Sequence, residues 1–203
     1  VTPINLIEKC FSDDENVVIS SISDLYLFLT LKCKDDEFDQ FCQNFPYDQF
    51  LQLILSIPEC KSRTIALLIF SNCSKSIYFP FDTYASNLDI LSFFYSLLES
   101  PKVDEVQSGL QILSKIMFNR PDVCEFLVET QDLHSQLELI NATPQYAQML
   151  YILSESHPQS LELTLSLIPY CLQTNDSSTI YFALQAMKTS VEKVPESSEL
   201  IIS

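Results

Sequence analysis

The sequence predicts an all-α protein, an α-solenoid of about five helical hairpins. Three observations carry that expectation: an apolar spacing that returns five times, a near absence of glycine, and short polar turns between paired apolar helices. Val18, Ile22, Leu25 and Leu29 stand at i, i+4, i+7 and i+11, which is one stripe along a helix. The spacing recurs at Ala66, Phe70, Cys73 and Ile77, and again at Val106, Leu110, Leu113 and Met117. It returns at Ile180, Leu184, Met187 and Val191, with a shorter version at Tyr146, Leu150 and Leu153. The starts are 48, 40, 40 and 34 residues apart, within the range of helical repeats. Gly109 is the only glycine among 203 residues, so hairpin turns, strand bulges and phosphate loops become unlikely together.

Taken in order, residues 3–11 read as a leading helix with Ile4, Leu6, Ile7 and Phe11 apolar. Ser12 followed by Glu15 reads as a capping box that starts a second helix over 14–32. A short helix over 36–44 carries Phe38 and Phe41, with Phe45 just beyond it. The second hairpin runs 47–56, turns at Ile57-Pro58, and continues over 59–74. The aromatic segment 76–87 reads as a packed loop or, over 77–81, as a strand; Pro80 and the lack of a partner strand disfavour the strand. The third hairpin is 88–99 and 103–118 around Ser100-Pro101, where proline suits a helix's first turn. Asn119-Arg120-Pro121 breaks that helix, and 122–129 forms another short one. The fourth hairpin is 132–140 and 145–155, and the fifth is 158–173 and 177–193, with Pro169 inside its first helix. Residues 195–202 start a further helix with an apolar end at Leu200, Ile201 and Ile202.

A hairpin of this size buries one apolar face and leaves another open, which stacked neighbours would close. Ile112 and Ile116 illustrate the need, since both lie off the Val106–Met117 stripe. A compact helix bundle is the rival arrangement, because its helices can carry the same stripe. The segments 88–117 (LDILSFFYSLLESPKVDEVQSGLQILSKIM) and 121–150 (PDVCEFLVETQDLHSQLELINATPQYAQML) resemble armadillo repeats. Glu105-Val106-Gln107 followed by Leu110, Leu113 and Ile116 or Met117 resembles the family's acidic helix start and long stripe. Residues 88–157 carry this resemblance, and the rest is similar to armadillo or HEAT units more loosely. The resemblance implies a right-handed superhelix, with 1–203 as a single repeat domain and a piece of a longer solenoid. The family's glycine before its last helix falls here near Gln131-Asp132. The peptide-binding Trp and Asn ladder of its importin-like members has no counterpart, since the chain lacks Trp.

Eleven basic and twenty-seven acidic residues give a formal charge of −16. That field repels nucleic acid and anionic lipid and favours basic protein or peptide partners; it also keeps an apolar-rich chain in solution. The seven cysteines contain no Cys-x-x-Cys pair and lie mostly among apolar residues, which points to free thiols in a reducing compartment. No apolar run is long enough for a membrane span, and a cytoplasmic or nuclear location is expected. His134 and His157 have no second ligand at metal-binding spacing; His134 is expected solvated on a helix and His157 at a helix end. No cofactor, metal or catalytic motif is expected, so the chain reads as a non-enzyme.

The expected function is a protein-interaction scaffold that binds a partner along the concave face of its leading helices. Tyr47, Tyr95, Gln136, Tyr170 and Gln173 are its candidate contacts, because tyrosine presents a rigid apolar body with a polar tip. The acidic run Asp35, Asp36, Glu37 and Asp39 is a candidate patch for a basic partner, although helix-start electrostatics also accounts for it. The alternative function is an architectural subunit of a large assembly, suggested by the apolar ends.

Overall fold

The computed structural model describes residues 3–194, without the side chains of Asp35 and Leu163. Those residues are all-helical, with no strand among them, and the expected 195–202 helix lies outside them. The chain divides into two compact units, Val1–Pro80 and Phe81–Ser203. The first holds α1 (Pro3–Lys9), α2 (Glu15–Leu31), α3 (Asp35–Gln43), α4 (Tyr47–Ser56) and α5 (Lys61–Cys73). The second holds α6 (Phe81–Ala85), α7 (Leu88–Ser96), α8 (Val103–Asn119), α9 (Pro121–Gln131) and α10 (Leu133–Glu138). It ends with α11 (Pro144–Ser156), α12 (Leu161–Leu172) and α13 (Ser177–Lys193). Single 3-10 turns at Leu97–Glu99 and Pro158–Ser160 extend α7 and precede α12.

Polar side chains cap the starts of α2, α7, α11 and α13. Asn87 accepts from the amides of Asp89 and Ile90 at 3.1 and 3.2 Å, and Thr143 from that of Tyr146 at 3.2 Å. Asp176 accepts from the Thr179 amide at 2.6 Å. Each satisfies a donor that the helix's own ladder leaves over. At α2 the cap differs from the expected Ser12/Glu15 box. Asp14 accepts from the Asn16 amide at 2.9 Å, while Ser12 accepts from the Asp14 amide at 3.2 Å. Aspartate caps as well as serine does, so the helix begins two residues later than a Ser12 cap would place it.

In the first unit, Val18, Ile22 and Leu25 of α2 face α5, whose Ala66, Phe70 and Cys73 are fully buried. An aromatic cluster joins them: Tyr47 meets Phe45 edge-on at 4.9 Å and Phe79 at 5.7 Å, and Phe79 meets Phe70 at 5.7 Å. Such edge-to-face pairs are favoured by the ring quadrupoles. The stripe stops at Cys73, because α5 ends there and Ile77 is 79 % exposed. The loop alternative for 76–87 is the better description of its start, with a short helix, α6, at its end.

In the second unit, α8, α11 and α13 pack side by side, each with a preceding helix against it or its neighbour. Leu110, Leu113 and Met117 are buried with Tyr146, Leu150 and Leu153, and so are Ile112 and Ile116. The last stripe departs from expectation. Leu184 is 51 % exposed, and the buried face of α13 is Thr179, Ala183, Ala186 and Ser190, the same spacing one residue earlier. Small residues let α13 lie close against α11, and large ones at those positions would hold it away. Thr189 donates to Glu155 at 2.9 Å and Lys193 pairs with the same carboxylate at 2.9 Å, fixing the seam at one end.

Two backbone positions are under steric constraint. A Cβ on Gly109 would come within 2.9 Å of Leu97 Cβ and 3.1 Å of the Phe94 carbonyl oxygen. Asp132, between α9 and α10, sits at φ 53° and ψ 49°, a left-handed conformation that glycine adopts without strain. Gly109→Ala should destabilise the protein by about 1–3 kcal/mol, the overpacking cost exceeding the roughly 1 kcal/mol gain in helix propensity. Asp132→Gly should stabilise it by about 0.5–1 kcal/mol. Urea unfolding of the two variants measures both signs.

Candidate functional site

The second unit carries a cleft of about 830 Å³ between the 138–142 segment, Tyr146 at the start of α11, and the C-terminal half of α12. The sequence builds it simply. The α10 helix stops at Glu138, and Thr143-Pro144 starts α11 anew, so Leu139-Ile140-Asn141 must bridge the gap outside any helix. Leu139 is left 80 % exposed. On the opposite wall, Leu167 is buried while Tyr170 is 62 % exposed, and Gln173 and Thr174 follow the helix end. A smaller cleft of about 170 Å³ opens on the other side of the same bridge, lined by Pro101, Val103, Val106 and Leu110 among others. Leu139, Ile140 and Asn141 line both, so they form a ridge between two adjoining depressions.

The electrostatics of this surface are one-sided. Neither lining contains Lys, Arg or His, and Glu138 brings a carboxylate to the larger cleft. The α12 C-terminus adds the negative end of its helix dipole beside Gln173. Residues 81–203 hold sixteen acidic and five basic side chains, a formal charge of −11. Four of those five cations are in ion pairs: Lys102 with Glu105, Arg120 with Asp82 and Asp122, Lys188 with Glu192, and Lys193 with Glu155.

Of the expected contacts, the structure brings Tyr170 and Gln173 together in the larger cleft. Tyr47 is elsewhere, 9 % exposed within the aromatic cluster of the first unit, so its ring is core rather than groove. Tyr95 is buried too, and its hydroxyl donates to the Gln131 carbonyl at 2.5 Å. Gln136 donates to the Leu98 carbonyl at 3.0 Å. Tyr95 and Gln136 thus join α7 and its 3-10 turn to α9 and α10, and neither lines a cleft. Asp36, Glu37 and Asp39 are exposed on α3, and Glu37 accepts from the Lys34 amide at 3.3 Å, a helix-start role. The side chain of Asp35 lies outside the described residues. Sequence reasoning missed Glu138, Leu139 and Asn141; two adjacent apolar residues in an inter-helix turn were the available signal.

The seven cysteines are free thiols, and burial pushes those of Cys10 and Cys124 up to about 12 and that of Cys171 to about 11. Among the described residues, no group of three or more His, Cys, Asp or Glu is placed to hold a metal ion. No helix of those residues is long and apolar enough to cross a membrane.

His134 corrects an expectation, since it is 5 % exposed rather than solvated. It is held in the core by its place between buried Leu133 and Leu137, and its Nε2 has no hydrogen-bond partner. His157 caps α11, with Nδ1 2.7 Å from the Ser160 hydroxyl. Burial first, and the neighbouring His157 second, hold the His134 imidazole below its ordinary value of 6.5, against weaker opposition from Asp132 and Glu138. The unfolded chain therefore takes up this proton first as pH falls. The stability that neutral His134 permits is complete above pH 6.5 and is lost as pH falls from there through the lowered folded-state value. The urea midpoint should drop as pH falls below 6.5 in the wild type and drop less in His134→Gln. Against known proteins, no protein-family model matches this chain and no curated protein matches it, so the site is read from its own geometry.

Proposed function

We propose that the protein is a non-enzymatic interaction scaffold, and that the paired clefts around Leu139 take a basic, extended segment of a partner protein. The observation that carries this reading is the conjunction in one place of an exposed apolar ridge and adjoining depressions whose lining residues include no cation. Apolar side chains of a bound segment would cover Leu139 and Ile140, while an Arg or Lys would meet Glu138 and the α12 C-terminus. Tyr170 would lie along the aliphatic stem of that cation. The hairpins of each unit are read as armadillo- or HEAT-type repeats in a solenoid, supported by the side-by-side packing of α8, α11 and α13.

A second reading is favoured by α13. Tyr181, Leu184 and Val191 are 56 %, 51 % and 36 % exposed along its outer side, as a subunit of a larger assembly would leave them before docking. Sedimentation separates the readings, because an assembly subunit should self-associate or require a partner for solubility.

The first reading is tested by fluorescence anisotropy with labelled short peptides, one rich in Arg and Leu and one in Glu and Leu. The basic peptide should bind, and added salt should weaken it. Tyr170→Ala and Glu138→Gln should each weaken binding by roughly tenfold, about 1.4 kcal/mol. Glu125→Gln removes the same charge from exposed α9 and should change it by less than about twofold. Equal losses from Glu138→Gln and Glu125→Gln would mean that only the overall field attracts the peptide.

A further inference from the structure

The short helix α10 is held in a way that one proton can undo. It starts at Asp132, in its left-handed conformation, and the chain leaves the helix again at Leu139. Leu133, His134 and Leu137 are buried where α10 packs on α9 and α12, and the Nε2 of His134 has no hydrogen-bond partner. The exposed ridge hangs on this helix through its backbone. The Leu139 amide donates to the Gln136 carbonyl and the Ile140 amide to the Leu137 carbonyl, both at 3.2 Å. We propose that α10 is a proton-operated latch: a proton on His134 swings the helix out about Asp132, carries the Leu139 ridge with it, and releases a segment held in the clefts. The release rests on the reading of the clefts given above; the latch itself does not.

A neutral imidazole is tolerated in this place, whereas an imidazolium would be a buried cation with one nitrogen unpaired. Opening brings water to the ring. The open helix therefore binds the proton more tightly than the closed one and gains population as pH falls. Asp132 and Glu138, at the two ends of α10, partly offset the effect of burial, and His157 at the end of α11 adds to it. The other acids on the packed elements, Asp122, Glu125 and Glu129 of α9 and Glu162 of α12, are exposed to water, as is Glu99 beside Leu98. The Cys124 and Cys171 thiols and the Tyr146 hydroxyl are buried, and burial holds them in their neutral forms. These buried groups bring no negative charge to the ring.

The opening stays local because α10 is six residues long and sits between two non-helical joints. Gln136 ties it to the Leu98 carbonyl at 3.0 Å, and that bond can be exchanged for one to water. The seam of α8 with α11 is built from other residues, Leu110, Leu113, Leu150 and Leu153 among them, and survives when α10 leaves. Short elements of this kind open at a far smaller free energy than a core helix does. Asp132 favours the same direction, since leaving its left-handed conformation relieves strain. A segment bound over Leu139 needs the closed helix and the proton needs the open one, so each weakens the other by the same factor.

The test is hydrogen exchange of the full chain, read by mass spectrometry from neutral to mildly acidic pH and corrected for intrinsic exchange rates. Amides of 133–141 should lose protection by up to about tenfold per pH unit below 6.5, while those of α8 keep theirs. In His134→Gln most of that loss should disappear. The labelled Arg/Leu peptide should weaken in parallel in the wild type and weaken less in His134→Gln, a comparison at equal pH that cancels the titration of carboxylates. Constant protection over 133–141, a fall shared with α8, or an equal fall in His134→Gln would overturn the proposal. The chain has two histidines, so ring proton signals of the wild type and His157→Gln assign both. A His134 ring that titrates at or above 6.5 would also overturn it, which decides the matter even if His134→Gln does not fold. A peptide that stays bound while α10 opens would overturn the release. A peptide that never binds, with α10 still opening in acid, would end the reading of the clefts and support the latch alone.

Discussion

A helix that is apolar on more than one side must be covered from more than one direction, and α8 imposes this condition on the second unit. Leu110, Ile112, Leu113, Ile116 and Met117 are all inaccessible to solvent, and no single neighbour spans so wide an arc. One side is taken by α6, α7 and its 3-10 turn, the other by α11. The close fit on the α7 side depends on the missing side chain at Gly109, which lets the α8 backbone approach Phe94 and Leu97. Full burial of each such aliphatic side chain contributes about 1.5–3 kcal/mol, so five on one helix outweigh any local preference in the turns around it. The connecting segments must then fit the gaps that packing leaves. The exposed Leu139 ridge is one result of that order of priority.

Much of the fold was legible because it rests on local rules. The α4 helix falls where its periodicity places it, Asn119-Arg120-Pro121 ends α8, and the polar turns start helices through side-chain caps. The misreadings have a common physical origin. Periodicity locates a stripe but not which of two adjacent stripes faces the core. On α13 the larger side chains at 180, 184, 187 and 191 outscore 179, 183, 186 and 190, yet close packing against α11 selects the smaller set. Likewise Ile77 continued a pattern whose helix had already ended at Cys73.

The candidate site was legible only where one helix supplied it. Tyr170 lies in the last turn of α12 and Gln173 is its C-cap three residues on, so reading them together needed no tertiary information. Tyr47 and Tyr95 show the limit of choosing contacts by residue type, because tyrosine serves the interior when its hydroxyl finds a partner such as the Gln131 carbonyl. The α10–α11 bridge meets α12 only through folding, and neither its exposure nor its neighbours are set by its own sequence. His134 is the converse case: a polar residue that packing between Leu133 and Leu137 draws inward without a partner for Nε2.

Charge and shape would act on a partner in different ways. The field of a unit with a formal charge of −11 extends over several ångströms and raises encounter rates for any cation, with little regard to where it lands. Because four of the five local cations are already paired with carboxylates, they do little to interrupt that field. The clefts would act only at contact, where a bound segment would cover Leu139 and desolvate Glu138 together. Salt therefore screens the first contribution more strongly than the second, and a specific ligand should retain part of its affinity where a merely basic one has lost nearly all of it.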